Sequence, residues 1–248
     1  MKIGILETGT SPQELAADYG SYADLFVRQL GAIDPQLQFE CYRVVDDRFP
    51  TSAADCDGWL ITGSRHGVYE GLPWMRRLKD FILELWQAGR PLVGICFGHQ
   101  IVAEALGGRV EKSHRGWGVG LHRYQLVGDC NGLGGRGGSL TLNALHQDQI
   151  LDKPAGARVF ASSDFCPYAG LQYDDRILTF QAHPEFSVDY TAALLEVRKG
   201  QPITLERAEA AIAGLRQPGV ATDAERTLRA MIDFLRGPAV EVPAAAGL

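Results

Sequence analysis

Cysteine is scarce in this chain of 248 residues: only Cys41, Cys56, Cys96, Cys130 and Cys166 occur. The number is odd, the spacing is wide and there is no Cys-x-x-Cys, so neither a disulfide framework nor a zinc knuckle is expected. There is no basic run, and 24 Lys and Arg against 30 Asp and Glu leave a net charge of -6. That balance excludes nucleic-acid binding as the main task. No apolar stretch reaches the length of a membrane span. The N-terminus, Met1-Lys2-Ile3-Gly4-Ile5-Leu6-Glu7, lacks the long apolar segment and cleavage site of a signal peptide, so a cytoplasmic location is the expectation. No Gly-x-x-x-x-Gly-Lys-[Ser/Thr] motif is present to hold ATP phosphates. His146, Asp148, His183 and Glu185 could cluster, but no His-x-x-x-His or His-Glu-x-x-His spacing supports a metal, and no cofactor is expected. Neither an internal repeat nor a clear linker interrupts the chain.

What remains is an ordinary soluble composition, 46% hydrophobic and 22% charged, with length for a sizeable core. Over the first hundred residues, short apolar runs alternate with helical patterns. Lys2 to Glu7, Phe39 to Val45, Gly58 to Thr62 and Pro91 to Ile95 read as strands. Tyr22 to Leu30 and the stripe Trp74, Leu78, Phe81, Ile82, Leu85 read as helices. Such alternation predicts a doubly wound α/β fold: a mostly parallel central sheet with helices on both faces. Residues 109 to 182 read instead as short strands (Val119 to Val127, Ser139 to Leu145, Ala157 to Ala161, Gly170 to Tyr173, Ile177 to Gln181), an antiparallel extension of the same sheet. The Gly-rich stretch Gly128 to Gly138 reads as a mobile loop. Helical patterns return at Val188 to Val197, Leu205 to Leu215 and Ala224 to Leu235, before an Ala- and Pro-rich tail from Pro238 that is expected to fray. The expected organisation is one domain over residues 1–200, with residues 201–248 a helical extension packed on it.

The most informative passage is Gly94-Ile95-Cys96-Phe97-Gly98-His99-Gln100, between a strand and the helical run Ile101 to Leu106. Strand, sharp turn and helix with a nucleophile at the apex is the elbow arrangement of hydrolases. Gly94 and Gly98 clear space that a Cβ would obstruct. A cysteine there meets the unpaired N–H groups and dipole of a helix start, which favour a thiolate and can stabilise an oxyanion. A cysteine nucleophile needs a base, and the base an orienting group. Of six histidines, His183 has the best setting, in Gln181-Ala182-His183-Pro184-Glu185-Phe186 at a strand's exit. If the backbone stays extended, His183 and Glu185 project to one side, and the carboxylate supports the imidazolium.

The two motifs, in this order and roughly 85 to 90 residues apart, resemble those of the class I, triad-type glutamine amidotransferases. The likeness covers about residues 1 to 190 and is nearest to stand-alone members related to the amidotransferase domain of GMP synthase. The resemblance implies that Cys96 is the nucleophile, His183 the acid/base and Glu185 its orienter. The activity implied is hydrolysis of the glutamine side-chain amide through a γ-glutamyl thioester, with ammonia released to a separate acceptor. It also implies an oxyanion hole from the N–H of Phe97 and the turn Thr62-Gly63-Ser64-Arg65. There Gly63 and Ser64 hold the place of the family's Gly-Gly-Pro turn, and Arg65 replaces its proline and charges the rim. Gln100 matches a position beside the substrate pocket. Trp117, in Gly116-Trp117-Gly118, and His146, in His146-Gln147-Asp148, match the mouth. His66 reads as part of a solvated loop.

No synthetase half accompanies these motifs; residues 200 to 248 are too few for one. A separate ammonia-accepting synthetase chain is therefore one implied partner. A γ-glutamyl peptidase using the same thioester chemistry is a second reading, and a non-catalytic binding or regulatory module of the same fold is a third.

Overall fold

Every second side chain of the first strand points to one face of a sheet, so an apolar run this short must be covered on both sides. That run is β1 (Lys2–Leu6). A computed structural model of the chain describes residues 1–130 and 132–237 and shows how the cover is built. After β1 come α1 (Gln13–Tyr19), α2 (Tyr22–Ile33), β2 (Gln38–Tyr42), β3 (Gly58–Ile61), α3 (Pro73–Gln87), β4 (Leu92–Ile95) and α4 (Phe97–Ala105). Then follow β5 (Arg109–Lys112), β6 (Gly118–Leu126), β7 (Ser139–His146), β8 (Asp148–Asp152), β9 (Arg158–Ser162), β10 (Gly170–Tyr173) and β11 (Ile177–Phe180). Helices α5 (Val188–Arg198), α6 (Leu205–Leu215) and α7 (Ala224–Arg236) close the described chain.

Nine strands form one sheet in the order β2-β1-β3-β4-β11-β10-β9-β6-β7. The pairs from β2 to β11 are parallel; those from β11 to β7 are antiparallel. Strand alternation divides the core. Ile3, Ile5, Leu60, Val93 and Ile95 face α2 (Ala23, Phe26, Leu30) and α7 (Leu228, Met231, Leu235). Leu6, Trp59, Ile61 and Leu92 face α3 (Leu78, Phe81, Ile82) and α4 (Ile101, Val102). The doubly wound, mostly parallel sheet with an antiparallel extension is thus the fold. Helix α7 lays its apolar stripe on the central sheet, while α6 packs on Trp117, Val119 and Leu121 beside β6.

One sequence expectation needs correction. Residues 109–182 do not all extend one sheet: β5 and β8 pair with each other as a separate antiparallel ribbon. Only Val110 and Ile150 of that ribbon's facing residues join the core, too short an apolar pattern to read in advance. Helix α1 was also not foreseen, since Leu15 is its single buried residue. The Gly-rich stretch folds back through a Cys130–Gly134 bridge and buries Leu133. The tail expected to fray lies outside the described residues. Among the described residues, no helix is long and apolar enough to cross a membrane.

Candidate active site

Parallel pairing puts the carboxyl ends of β1, β3, β4 and β11 along one edge, where open α/β sheets hold their sites. Cys96 follows β4 and opens α4. Its φ of 53° and ψ of -100° are forbidding for a residue with a Cβ, a strain the surrounding packing must hold. The flanking glycines carry none of that strain, for neither takes a positive φ. They are needed for close approach: a Cβ on Gly94 would lie 2.7 Å from the Gly98 carbonyl oxygen, and one on Gly98 2.5 Å from that of Ile61. The Cys96 N–H donates to the Phe180 carbonyl at 2.8 Å, tying the elbow to the end of β11.

The neighbouring strand delivers the histidine. Ile95 pairs with Phe180, so the residues just beyond each strand meet although far apart in sequence. The extended backbone on which the sequence reading of Glu185 was conditional does not continue to that residue. Strand β11 ends at Phe180, His183 makes an isolated bridge to Asn143, and Pro184 and Glu185 lie in a turn. The turn, not strand alternation, brings His183 Nδ1 to 2.7 Å from Glu185 Oε1. Asn143 staples that turn, accepting from the His183 N–H and donating through Nδ2 to the Phe186 carbonyl, both at 2.8 Å. Gln29 Nε2 also donates to the Glu185 carbonyl. The His183 ring stacks on Phe186 at 3.9 Å between centroids and 5° between planes.

His183 is 4% exposed and Glu185 wholly buried. Burial alone would press the imidazole pKa down. The Glu185 charge, the charge of a Cys96 thiolate and hydrogen bonds to both outweigh burial and raise it to about 10. The arrangement therefore favours an imidazolium at His183, the state from which a proton can be handed to a leaving amine. Gly63 closes the third side: a Cβ there would lie 2.9 Å from His183 Cε1 and 3.8 Å from Cys96 Cβ. Phe97, the first residue of α4, is buried beneath the elbow. Ser64 commits its hydroxyl to the Thr8 carbonyl at 2.7 Å, which leaves its N–H as what it can offer the site.

A cleft of about 360 Å³ opens above Cys96 and His183. Gln100, Trp117 and His146 all line it, as do Ser64 and Asp148. Gln100 spends both amide protons internally, on the Asp148 carbonyl at 2.9 Å and Gln181 Oε1 at 3.0 Å, and can meet a ligand only as an acceptor. His146 bonds through Nδ1 to the Asp148 carbonyl at 3.1 Å, so Nε2 is also an acceptor. Burial lowers its pKa to about 3, which keeps the ring neutral and rules it out as a rival base near neutrality.

Sequence reasoning missed several lining groups. His66 faces the cleft rather than solvent alone, beside Arg65 at the rim, and pairs with Glu70 at 2.8 Å. Tyr69 reaches across the mouth to Asp148, 3.3 Å away. Lys112 and Arg198 bring positive charge from the ribbon and from α5, and Tyr22 comes from α2. Gln181, quoted in the second motif without a role, points Nε2 at the Cys96 sulfur from 3.6 Å. Its place directly after a strand that ends beside Cys96 was the available signal.

The family model described as glutamine amidotransferase class-I matches residues 15–196. The chain is 31% identical to gamma-glutamyl peptidase 2 of Arabidopsis thaliana, over 72% of this chain and 73% of that protein. It is 30% identical to a subunit of the glutamine-hydrolyzing GMP synthase of Sulfolobus acidocaldarius, over 73% of this chain and 91% of the relative. A solved glutamine amidotransferase from Thermotoga maritima superposes with a TM-score of 0.71 at 18% identity, covering 95% of this chain and 96% of that one, a likeness of fold.

Proposed function

Since the chain belongs to the class-I glutamine amidotransferase family, we propose that it hydrolyses γ-glutamyl amides, glutamine first, through a thioester on Cys96. The observation that carries the reading is Cys96 at a strained strand-to-helix elbow beside an imidazole paired with a buried carboxylate at 2.7 Å. The Cys96 thiolate attacks the γ-carbonyl carbon, and the new oxyanion sits between the N–H groups of Phe97 and Ser64. The imidazolium of His183 gives its proton to the departing nitrogen, the C–N bond breaks and ammonia leaves. His183 then takes a proton from water, which attacks the thioester carbonyl, and the second tetrahedral species collapses to glutamate and free Cys96. Glu185 keeps the ring in the tautomer that faces the sulfur.

The released ammonia goes to a separate synthetase in this reading, which the GMP synthase relative supports, being named as one subunit of a larger enzyme. A second reading is supported by the cleft's size and by Lys112 and Arg198 in its walls. These can hold a leaving group that carries its own carboxylate, as a γ-glutamyl peptide does, and the Arabidopsis relative is named a peptidase. One panel separates the readings: glutamine, γ-glutamyl dipeptides and a glutamine diazo-ketone, followed by mass spectrometry of Cys96. Labelling by the diazo-ketone with ammonia release favours glutamine; dipeptide cleavage with Cys96 unlabelled favours the peptidase. If Cys96→Ala turns over every substrate as wild type does, the chain is at most a binding module at this site.

A further inference from the structure

Strand β3 runs between β1 and β4, so backbone groups just beyond it can face only toward Thr8 on one side or Cys96 on the other. Thr62 faces the β1 side: its N–H donates to the Leu6 carbonyl at 3.2 Å, and its carbonyl accepts from Thr8 Oγ1 at 2.9 Å. Regular alternation would then turn the Gly63 carbonyl toward β4 and Cys96. An oxygen there would repel the negative oxygen formed during attack. The structure shows the reverse: the Gly63 carbonyl lies on the β1 side, 3.0 Å from Thr8 Oγ1 and 3.2 Å from Thr62 Oγ1. Because N–H and C=O point oppositely across a trans peptide, the Ser64 N–H is thereby turned toward the β4 side, where Cys96 stands.

We infer that Thr8 is a positioning residue: its buried hydroxyl, with that of Thr62, holds the Gly63–Ser64 peptide in the orientation that makes it an oxyanion donor. The inference rests on the thioester reading above. The network is fully occupied. The Thr8 N–H donates to Thr62 Oγ1 at 3.1 Å, the Thr62 hydroxyl proton goes to the Gly63 carbonyl, and the single Thr8 hydroxyl proton is shared between the carbonyls of Thr62 and Gly63. Ser64 Oγ donates to the Thr8 carbonyl at 2.7 Å and accepts from the His66 N–H at 3.3 Å, clamping the far side of the same peptide. Thr8 and Thr62 are both wholly buried, so no water competes for these bonds. Thr8 touches no reacting atom, and sequence alone assigned it no role.

The test contrasts a reaction that needs the oxyanion hole with one that does not. Thr8→Val keeps the shape and removes the hydroxyl; Thr8→Ser keeps it; Thr62→Val removes the second donor to the same carbonyl, should Thr8→Val not fold. Each is assayed on a γ-glutamyl anilide, on p-nitrophenyl acetate and for alkylation of Cys96 by iodoacetamide, which passes through no oxyanion. The expected result for Thr8→Val is a kcat on both acyl substrates lower by at least about tenfold. KM and the alkylation rate stay as in wild type, and Thr8→Ser restores kcat. Equal losses in turnover and alkylation, or no loss in turnover, overturn the role. If wild type cleaves the ester through Cys96 but no γ-glutamyl compound, the functional reading falls and Thr8 is judged on the ester. A wild type inert on both refutes the two together.

Discussion

Replacing Glu185 by glutamine removes one charge and almost no volume, which makes it a sharp probe of the imidazolium. His183 Nδ1 and Glu185 Oε1 are 2.7 Å apart and both side chains are buried. With charge centres about 4 Å apart and an effective dielectric near 20, the pair is worth ~4 kcal/mol. Glutamine can still accept the Nδ1 hydrogen bond, so the expected loss is about 2 to 4 kcal/mol, roughly 30- to 1,000-fold in kcat/KM. The companion assay is alkylation of Cys96 by iodoacetamide across pH 6 to 9. In wild type the imidazolium persists toward pH 10, so the cation beside the sulfur is present throughout this range. In Glu185→Gln the ring loses its proton at lower pH, the sulfur loses its charged neighbour within the range, and the profile is expected to depart from that of wild type. Superimposable profiles, with kcat/KM within about threefold of wild type, would show that the carboxylate does not hold the proton on His183.

Three further outcomes follow from the same geometry. Gly63→Ala places a methyl 2.9 Å from His183 Cε1, so the ring or the turn must shift; kcat is expected to fall about 100-fold, and a variant with wild-type kcat would show slack at the site. Phe186→Ala removes a buried ring stacked on His183 and is expected to lower stability by about 3 to 5 kcal/mol, read as a fall of about 10 °C in Tm. The His183 pKa is raised on folding, from 6.5 to about 10, so its stabilising contribution is complete below pH 6.5 and fades as pH climbs toward 10. Urea midpoints of wild type and His183→Gln should therefore converge between pH 6 and pH 10; a gap that widens with pH contradicts the sign.

The α/β alternation was legible because each buried strand is a short apolar run and α3 keeps its apolar stripe at helical spacing. Cys96, His183 and Glu185 stood out because an elbow needs glycines at fixed offsets and an orienting carboxylate can sit two residues from its histidine. The β5–β8 ribbon was hidden because pairing between residues 109–112 and 148–152 leaves almost no apolar periodicity. The cleft walls were hidden for a related reason. Lys112 and Arg198 come from separated segments, and charged residues in strands and on helices look alike until chain folding gathers them.

Local pattern was enough to single out Cys96 and His183 as candidates, because backbone geometry at a sharp turn and at a strand's exit depends on a few adjacent residues. It could not say that β4 and β11 are neighbours, although that adjacency alone brings Cys96 and His183 together. Nor could it say which way the Gly63–Ser64 peptide points. That orientation rests on hydroxyls from Thr8 and Thr62, just beyond two strands whose pairing is a property of the whole sheet. Hydrogen bonds between segments far apart in sequence form only when the sheet is complete, so the chemistry they arrange is written in the fold rather than in any stretch of residues.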